Sequence, residues 1–393
     1  MSRAKSIMCV RMWEMAGKPM IHHKTALLGL AILLIRPGLP GFMSFHTGDP
    51  LRASSATGQP TPATGLDETA ETKWVGKIIG PDKYENNCSS CHAYEFEAWQ
   101  QTRHYATFKD RHRSDEADVI LENMGQKSMK RIGVCRQCHY TSKLKKDKIR
   151  ASWGVSCESC HGPALHWGDI HNKIGGEPSG QAIQWGAGKN EAKEARASRL
   201  GAAQAKGLIH SDMIYDIATN CFGCHTVPNE TLVNKGKHKA GSDFDLVAWS
   251  QGEIRHNFSS SAGAPDHPTN RPSSAEQQRR LYVVGAMVDL EFSLRNLASV
   301  NEKGEAFHHA MIERVNRARK KITAVLQAVD IPELATTVNA LPASVDASTS
   351  IDAAVPARLS KASKRFVAKY DGSELSAVDS LIPTEVKGEV YKE

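Results

Sequence analysis

The sequence predicts a mainly α-helical protein in two successive parts: a core of short helical segments with little sheet, then a C-terminal helical hairpin. Three observations lead there. Eight of the nine cysteines fall into four copies of one five-residue pattern, Cys-x-x-Cys-His. Between about Lys83 and Arg271 long periodic apolar segments are few, and only 6% of the chain is aromatic, so side chains alone make a thin interior there. After residue 272, apolar residues recur at helical spacing over two stretches.

Taken in order, residues 1–56 read as an export signal region. Arg3, Lys5, Arg11, Lys18 and Lys24 precede an uncharged apolar run from Thr25 to Ile35, the order of a secretory signal. Eleven residues are too few to span a bilayer, which takes about 20. The run starts late, so Met15 or Met20 could be the initiator. Ser54 and Ala56 suggest cleavage near Ala56, which would also remove Cys9; an uncleaved short membrane anchor is the alternative. Residues 36–73 are rich in Pro, Gly, Thr and Ala, so 57–83 reads as a linker.

The motifs fill residues 84–272. They are Cys88-Ser-Ser-Cys91-His92, Cys135-Arg-Gln-Cys138-His139, Cys157-Glu-Ser-Cys160-His161 and Cys221-Phe-Gly-Cys224-His225. Cys-x-x-Cys-His is the attachment site of c-type haem. Three-residue spacing puts both thiols on one side of a helical turn, within reach of the porphyrin edge, and the histidine is held beneath the iron as proximal ligand. Zinc sites and disulfide frameworks also use paired cysteines, but neither requires His directly after the second Cys every time. The expectation is four covalent haems in an exported, periplasmic chain.

Each iron can take a second axial ligand from the chain. The core offers His104, His112, His166, His171, His210, His238, His256 and His267. The stretch Ala93–Lys109 reads as helical, and His104 lies twelve residues past His92, about 18 Å along a helix, so it must serve a neighbouring haem. His171 follows His161 by ten residues; His256 ends a predicted helix that starts at Val247. His166, five residues from His161, is badly placed to cross to another haem.

The spacing Cys88-Ser-Ser-Cys-His…Trp99-Gln-Gln-Thr-Arg-His104, then Gly154-Val-Ser-Cys-Glu-Ser-Cys-His-Gly-Pro163…His171, resembles the tetrahaem cytochrome c-554 family over roughly residues 84–258. Members take electrons from hydroxylamine oxidoreductase. The resemblance implies that His171 ligates the first haem, His104 the third, and His256 the fourth. It implies that the second haem lacks a protein sixth ligand, leaving an open iron. His210 and His238 flank the fourth motif and are the candidates that would close it instead.

Beyond the core, Ser274 is expected to cap a helix with Val283, Met287, Leu290, Leu294 and Leu297 along one stripe. Met311, Val315, Ala318, Ile322, Val325 and Val329 mark a second helix, and the break at Asn301–Gly304 makes residues 273–330 an antiparallel hairpin. That hairpin (275–329) is expected to dock a partner or dimerise, with His308 and His309 facing solvent. Residues 331–393, rich in Ala, Ser and Thr, read as a loosely ordered tail.

The formal charge of +7 is concentrated at the N-terminus: residues 1–56 hold seven Lys/Arg and two Asp/Glu, leaving +2 for the remainder. That excludes a nucleic-acid-binding class, which needs a strongly basic domain. The basic run Lys143–Arg150 reads as a solvated loop or helix, with docking of an acidic partner as the alternative. Two functions remain. One is a carrier passing single electrons between a donor and an acceptor protein. The other is a reductase of a small nitrogen or sulfur oxide at an open haem. All four motifs keep their His, which favours the carrier over the enzyme.

Overall fold

The computed structural model describes residues 75, 77–81, 88–173, 191–258 and 269–391, all within the unit Ser54–Glu393. The export signal, Cys9, His267 and most of the linker lie outside the described residues. The described chain is mainly helical with one two-stranded sheet, as expected. No described helix is long and apolar enough to cross a membrane.

The first half is built from short helices: α1 (Cys88–Cys91), α2 (Ala93–Gln100), α3 (Arg103–Ala106), α4 (Asp115–Asn123) and α5 (Gly133–His139). After the strands come α6 (Cys157–His161), α7 (Gly168–His171), α8 (Lys193–Gln204), α9 (Ile214–His225), α10 (Glu230–Asn234) and α11 (Leu246–Ser250). Four of these helices start at a capping side chain. Thr102 interrupts the expected Ala93–Lys109 helix: its hydroxyl accepts from the Tyr105 N–H and starts a new helix. Ser114 caps α4 in the same way, and the Asp245 carboxylate accepts from two N–H groups of α11.

The basic run is neither loop nor helix. It forms strands β1 (Thr141–Lys145) and β2 (Lys148–Trp153), paired antiparallel with Lys145 opposite Lys148. Lys146 and Asp147 turn the chain with φ of 48° and 59°, the left-handed pair a two-residue hairpin needs. Leu144 and Ile149 alternate with Lys143, Lys145, Lys148 and Arg150, a period-2 pattern only three residues long in each strand.

The second half centres on α12 (Ala275–Ala298), capped by Ser274 as expected. From Leu281 to Leu297 every residue but Arg295 is buried. A helix covered on all sides needs more neighbours than one partner. α13 (Ala306–Ala328) completes the expected hairpin, and further cover comes from α15 (Ala354–Lys369) and a 3₁₀ segment, Ser373–Leu381.

Residues 331–393 are therefore not a loose tail. α14 (Pro332–Asn339), α15 and the 3₁₀ segment bury Leu334, Val338, Leu359, Phe366, Leu375 and Val378 almost completely. Sparse but correctly spaced large apolar residues suffice when small residues let helices approach. The hairpin's apolar stripes are thus filled by the chain itself. His308 is also buried, not solvent-facing: its Nδ1 accepts the Gly304 N–H at 2.9 Å and ties down the interhelix loop. His309 is exposed, as expected.

The same core takes in Ile214, Tyr215, Ala218 and Phe222 of α9, and Leu246 and Val247 of α11. The division at residue 272 read from the sequence does not separate two interiors. The helix that bears the fourth motif is rooted in the helical bundle.

Candidate haem centres

Each Cys-x-x-Cys-His motif occupies a helical turn: α1 with His92 following, α5, α6, and the end of α9. None of the eight motif cysteines is paired in a disulfide. Cys88 lies beside Cys157, Cys224 Sγ reaches the Gln137 carbonyl at 3.8 Å, and Asn220 Nδ2 donates to the Cys160 carbonyl at 2.8 Å. The first motif therefore neighbours the third, the second neighbours the fourth, and the third touches the fourth.

Every motif histidine faces one further imidazole. Ring centres are 6.4 Å apart for His92 and His171, 6.3 Å for His104 and His225, 6.3 Å for His139 and His238, and 6.1 Å for His161 and His256. An imidazole nitrogen lies about 1.2 Å from its ring centre and binds a metal at about 2.0 Å, so one metal between two opposed rings sets the centres about 6.4 Å apart. All four gaps fit one iron. Among the described residues no group of three or more His, Cys, Asp or Glu could hold a bare ion. Two opposed imidazoles suit an iron whose remaining positions come from a planar group, and a tetrahedral zinc would need four protein ligands.

The rings are aimed by their other nitrogen. Nδ1 of His161 meets the Ile209 carbonyl at 2.9 Å, that of His225 the Ser242 hydroxyl at 3.1 Å, and that of His238 the Lys239 carbonyl at 2.8 Å. Nδ1 of His256 meets the Ile254 carbonyl at 2.6 Å, and that of His171 the Gly168 carbonyl. With Nδ1 engaged, Nε2 is left toward the facing ring, the arrangement that fixes tautomer and orientation in metal-binding histidines. Burial first, then the facing imidazole, pushes His139, His161 and His225 down to about 4, so all three are neutral at pH 7. Burial likewise lowers His104 and His171. At His92 burial also lowers, but the Glu95 carboxylate outweighs it and the net direction is up.

Two of the expected pairings differ. His171 faces the first motif as expected, whereas His104 faces the fourth motif and His256 the third. The reason lies in the backbone around α3. The His104 carbonyl accepts the Val155 N–H at 3.0 Å, and Gly154 passes so close that a Cβ there would stand 2.1 Å from that carbonyl. Thr107 Oγ1 donates to the carbonyls of both His104 and His139. α3 is thus wedged between the second and third motifs by its main chain, and its ring points onward to His225. The segment expected to serve the fourth motif does reach it, through Phe244, which stacks on His225 at 4.4 Å. His256 lies beyond a turn and returns to His161.

The second motif, expected to stay open, is faced by His238. His210 instead lies 3.1 Å from the Asp212 carboxylate. His166 is exposed, and His112 sits in a 3₁₀ turn, Arg111–Arg113.

Sequence reasoning missed Glu158, inside the third motif. Its buried carboxylate accepts the N–H groups of Ile79, Gly80 and Ala164 at 3.0, 2.7 and 2.8 Å, fastening the end of the linker to the motif. Burial raises its pKa and the three donors partly offset that. Gly162, at φ 84°, ends α6 where a Cβ would strike the Gly207 carbonyl at 2.1 Å.

The family model described as cytochrome c554 and c-prime matches residues 87–162, about a fifth of the chain and three of its four motifs. No curated protein and no solved structure matches. The matched segment supports a c-type cytochrome, a protein that holds haem covalently and takes part in electron transfer.

Proposed function

We propose that the chain is a periplasmic tetrahaem cytochrome that passes single electrons between redox proteins, with every iron six-coordinate. The observation that carries this reading is the set of four imidazole pairs at 6.1–6.4 Å. Cys88 and Cys91 would hold the first haem, with His92 and His171 as ligands. Cys135 and Cys138 would hold the second with His139 and His238, and Cys157 and Cys160 the third with His161 and His256. Cys221 and Cys224 would hold the fourth with His225 and His104.

A bound haem supplies a reversible one-electron couple at its iron. The protein residues do the rest. The first motif lies beside the third, Cys224 meets the Gln137 carbonyl of the second, and Asn220 next to the fourth binds the Cys160 carbonyl of the third, so the four motifs are contiguous. The paired imidazoles would supply two protein ligands to each iron, which would leave no position for a small substrate and argues against the reductase reading. The basic-then-apolar order of residues 3–35 supports export.

Mass spectrometry of the purified protein should give four haem additions, and carbon monoxide should leave the reduced spectrum unchanged. Carbon monoxide binding at one haem would restore the open second site; bound zinc without haem would sink the whole reading.

A further inference from the structure

Charge is sharply segregated around the second motif. Met124–Trp153 holds nine Lys and Arg against one acid, Asp147, a net +8 in thirty residues. Residues 57–393 sum to +2, so everything outside this stretch sums to −6. Two propionates of a haem at Cys135 and Cys138 would still leave the stretch at +6.

The structure folds this stretch into one local body. Met129, Cys135 and Tyr140 share a small core with Ala117 and Leu121, and the β1–β2 hairpin rises directly from α5. Lys127, Arg131, Lys145, Lys146, Lys148 and Arg150 are exposed, and none has an ion-pair partner among the described residues. Lys143 is used internally, donating to the Ile79 carbonyl at 3.2 Å, and Lys130 lies over the Phe108 ring at 3.8 Å. The unpartnered cations therefore gather at the hairpin tip and beside the motif.

Building on the carrier reading, we propose that this basic body is the docking surface for a redox protein with an acidic face, directing it to the second site. A field of one sign next to a redox centre raises encounter rates by 10–10³-fold at low salt and orients the partner. A membrane surface fits less well, because the hairpin's apolar residues, Leu144 and Ile149, are half-buried and leave no apolar face to insert.

The test uses haem-loaded protein and a flavodoxin as acidic one-electron probe, with affinity from calorimetry and the footprint from hydrogen exchange. Replacing Lys145, Lys146, Lys148 and Arg150 by Glu should weaken binding at least tenfold at 20 mM salt, with the difference fading above roughly 0.5 M. The same four positions changed to Gln give a milder loss and guard against misfolding. Charge reversal at Arg317, Lys320, Lys361 and Arg365, exposed cations of the bundle, should change affinity less than threefold. A footprint confined to 127–150 is the expected result. Equal losses in the control, a footprint elsewhere, or no salt dependence would overturn the proposal. So would preferential binding of the stretch to phosphatidylglycerol vesicles, or variant-sensitive self-association in sedimentation. Haem content and spin state of each sample are read alongside; their loss would strike the carrier reading, not the docking surface.

Discussion

The two halves of the molecule solve the same problem, filling an interior, with different material. Around the first three motifs the buried apolar side chains form only small islands: Ala117, Leu121, Met129, Cys135 and Tyr140 in one, Ala164, Trp167, Ala203 and Leu208 in another. From α12 onward a single core runs through every helix. Side chains that bury well contribute about 25 cal/mol per Å², so the bundle has a sufficient source of stability and the motif half does not. The motif half is expected to need its prosthetic groups in order to fold; the bundle is not.

The largest expected effect tests that directly. Protein made with all eight motif cysteines changed to Ala should lose structure from 88 to about 210 and keep it from 275 to 381, as read by protease protection and hydrogen exchange. Equal protection in both halves would erase the distinction between them.

The next effect falls where the halves meet. Phe222, inside the fourth motif, is buried in the bundle core. Phe222→Ala should cost about 3–5 kcal/mol in denaturant unfolding, and should perturb the spectrum of the fourth haem before the others. Truncation after residue 272 should do the same more severely. A truncated protein with all four haems unperturbed would show that the bundle merely accompanies the motif half.

Within the bundle, burial pushes Glu291 up to about 7, with Arg295 and the Tyr215 hydroxyl pulling it back. Since its pKa is higher in the folded than in the unfolded chain, the folded state binds the proton more tightly. That contribution is present at pH 4.5, falls as pH rises to 7, and is flat above. Compared with Glu291→Gln, the natural protein should lose about 3 kcal/mol between pH 4.5 and 8; parallel urea midpoints across that range would refute the assignment.

The smallest effects compare like with like. Ser114→Ala and Ser274→Ala each remove one N-cap, at about 1 kcal/mol. In the bundle the loss should appear in global stability. In the motif half of haem-loaded protein it should appear as faster local exchange in α4 only.

What could be read from the residues alone was local. The motifs were legible because attachment chemistry dictates spacing within one turn, and the Ser274 cap and the two long helices because period and cap coincide. The facing of His171 to the first motif was legible only through the family resemblance. His104 and His256 were recognised as reaching histidines, but their targets depend on main-chain contacts such as Val155 with His104, which no periodicity encodes. His238 was a candidate with no interval to rank it above His210; only the Asp212 side chain, holding His210, distinguishes them. The ordered C-terminal helices were masked by composition: Leu359 and Phe366 are seven residues apart among Ala, Ser and Lys, and seven residues is two helical turns.

The rooting of α9 in the bundle has a consequence for biogenesis. In a chain exported N-terminus first, as proposed, the fourth motif would cross well before α12, α13 and α15. Until they do, Ile214, Tyr215 and Phe222 have no core to enter, and Cys221 and Cys224 stay reachable on a pliable segment. On the proposed reading, the late arrival of the C-terminal helices would set a time window for the last attachment, and their packing would close it.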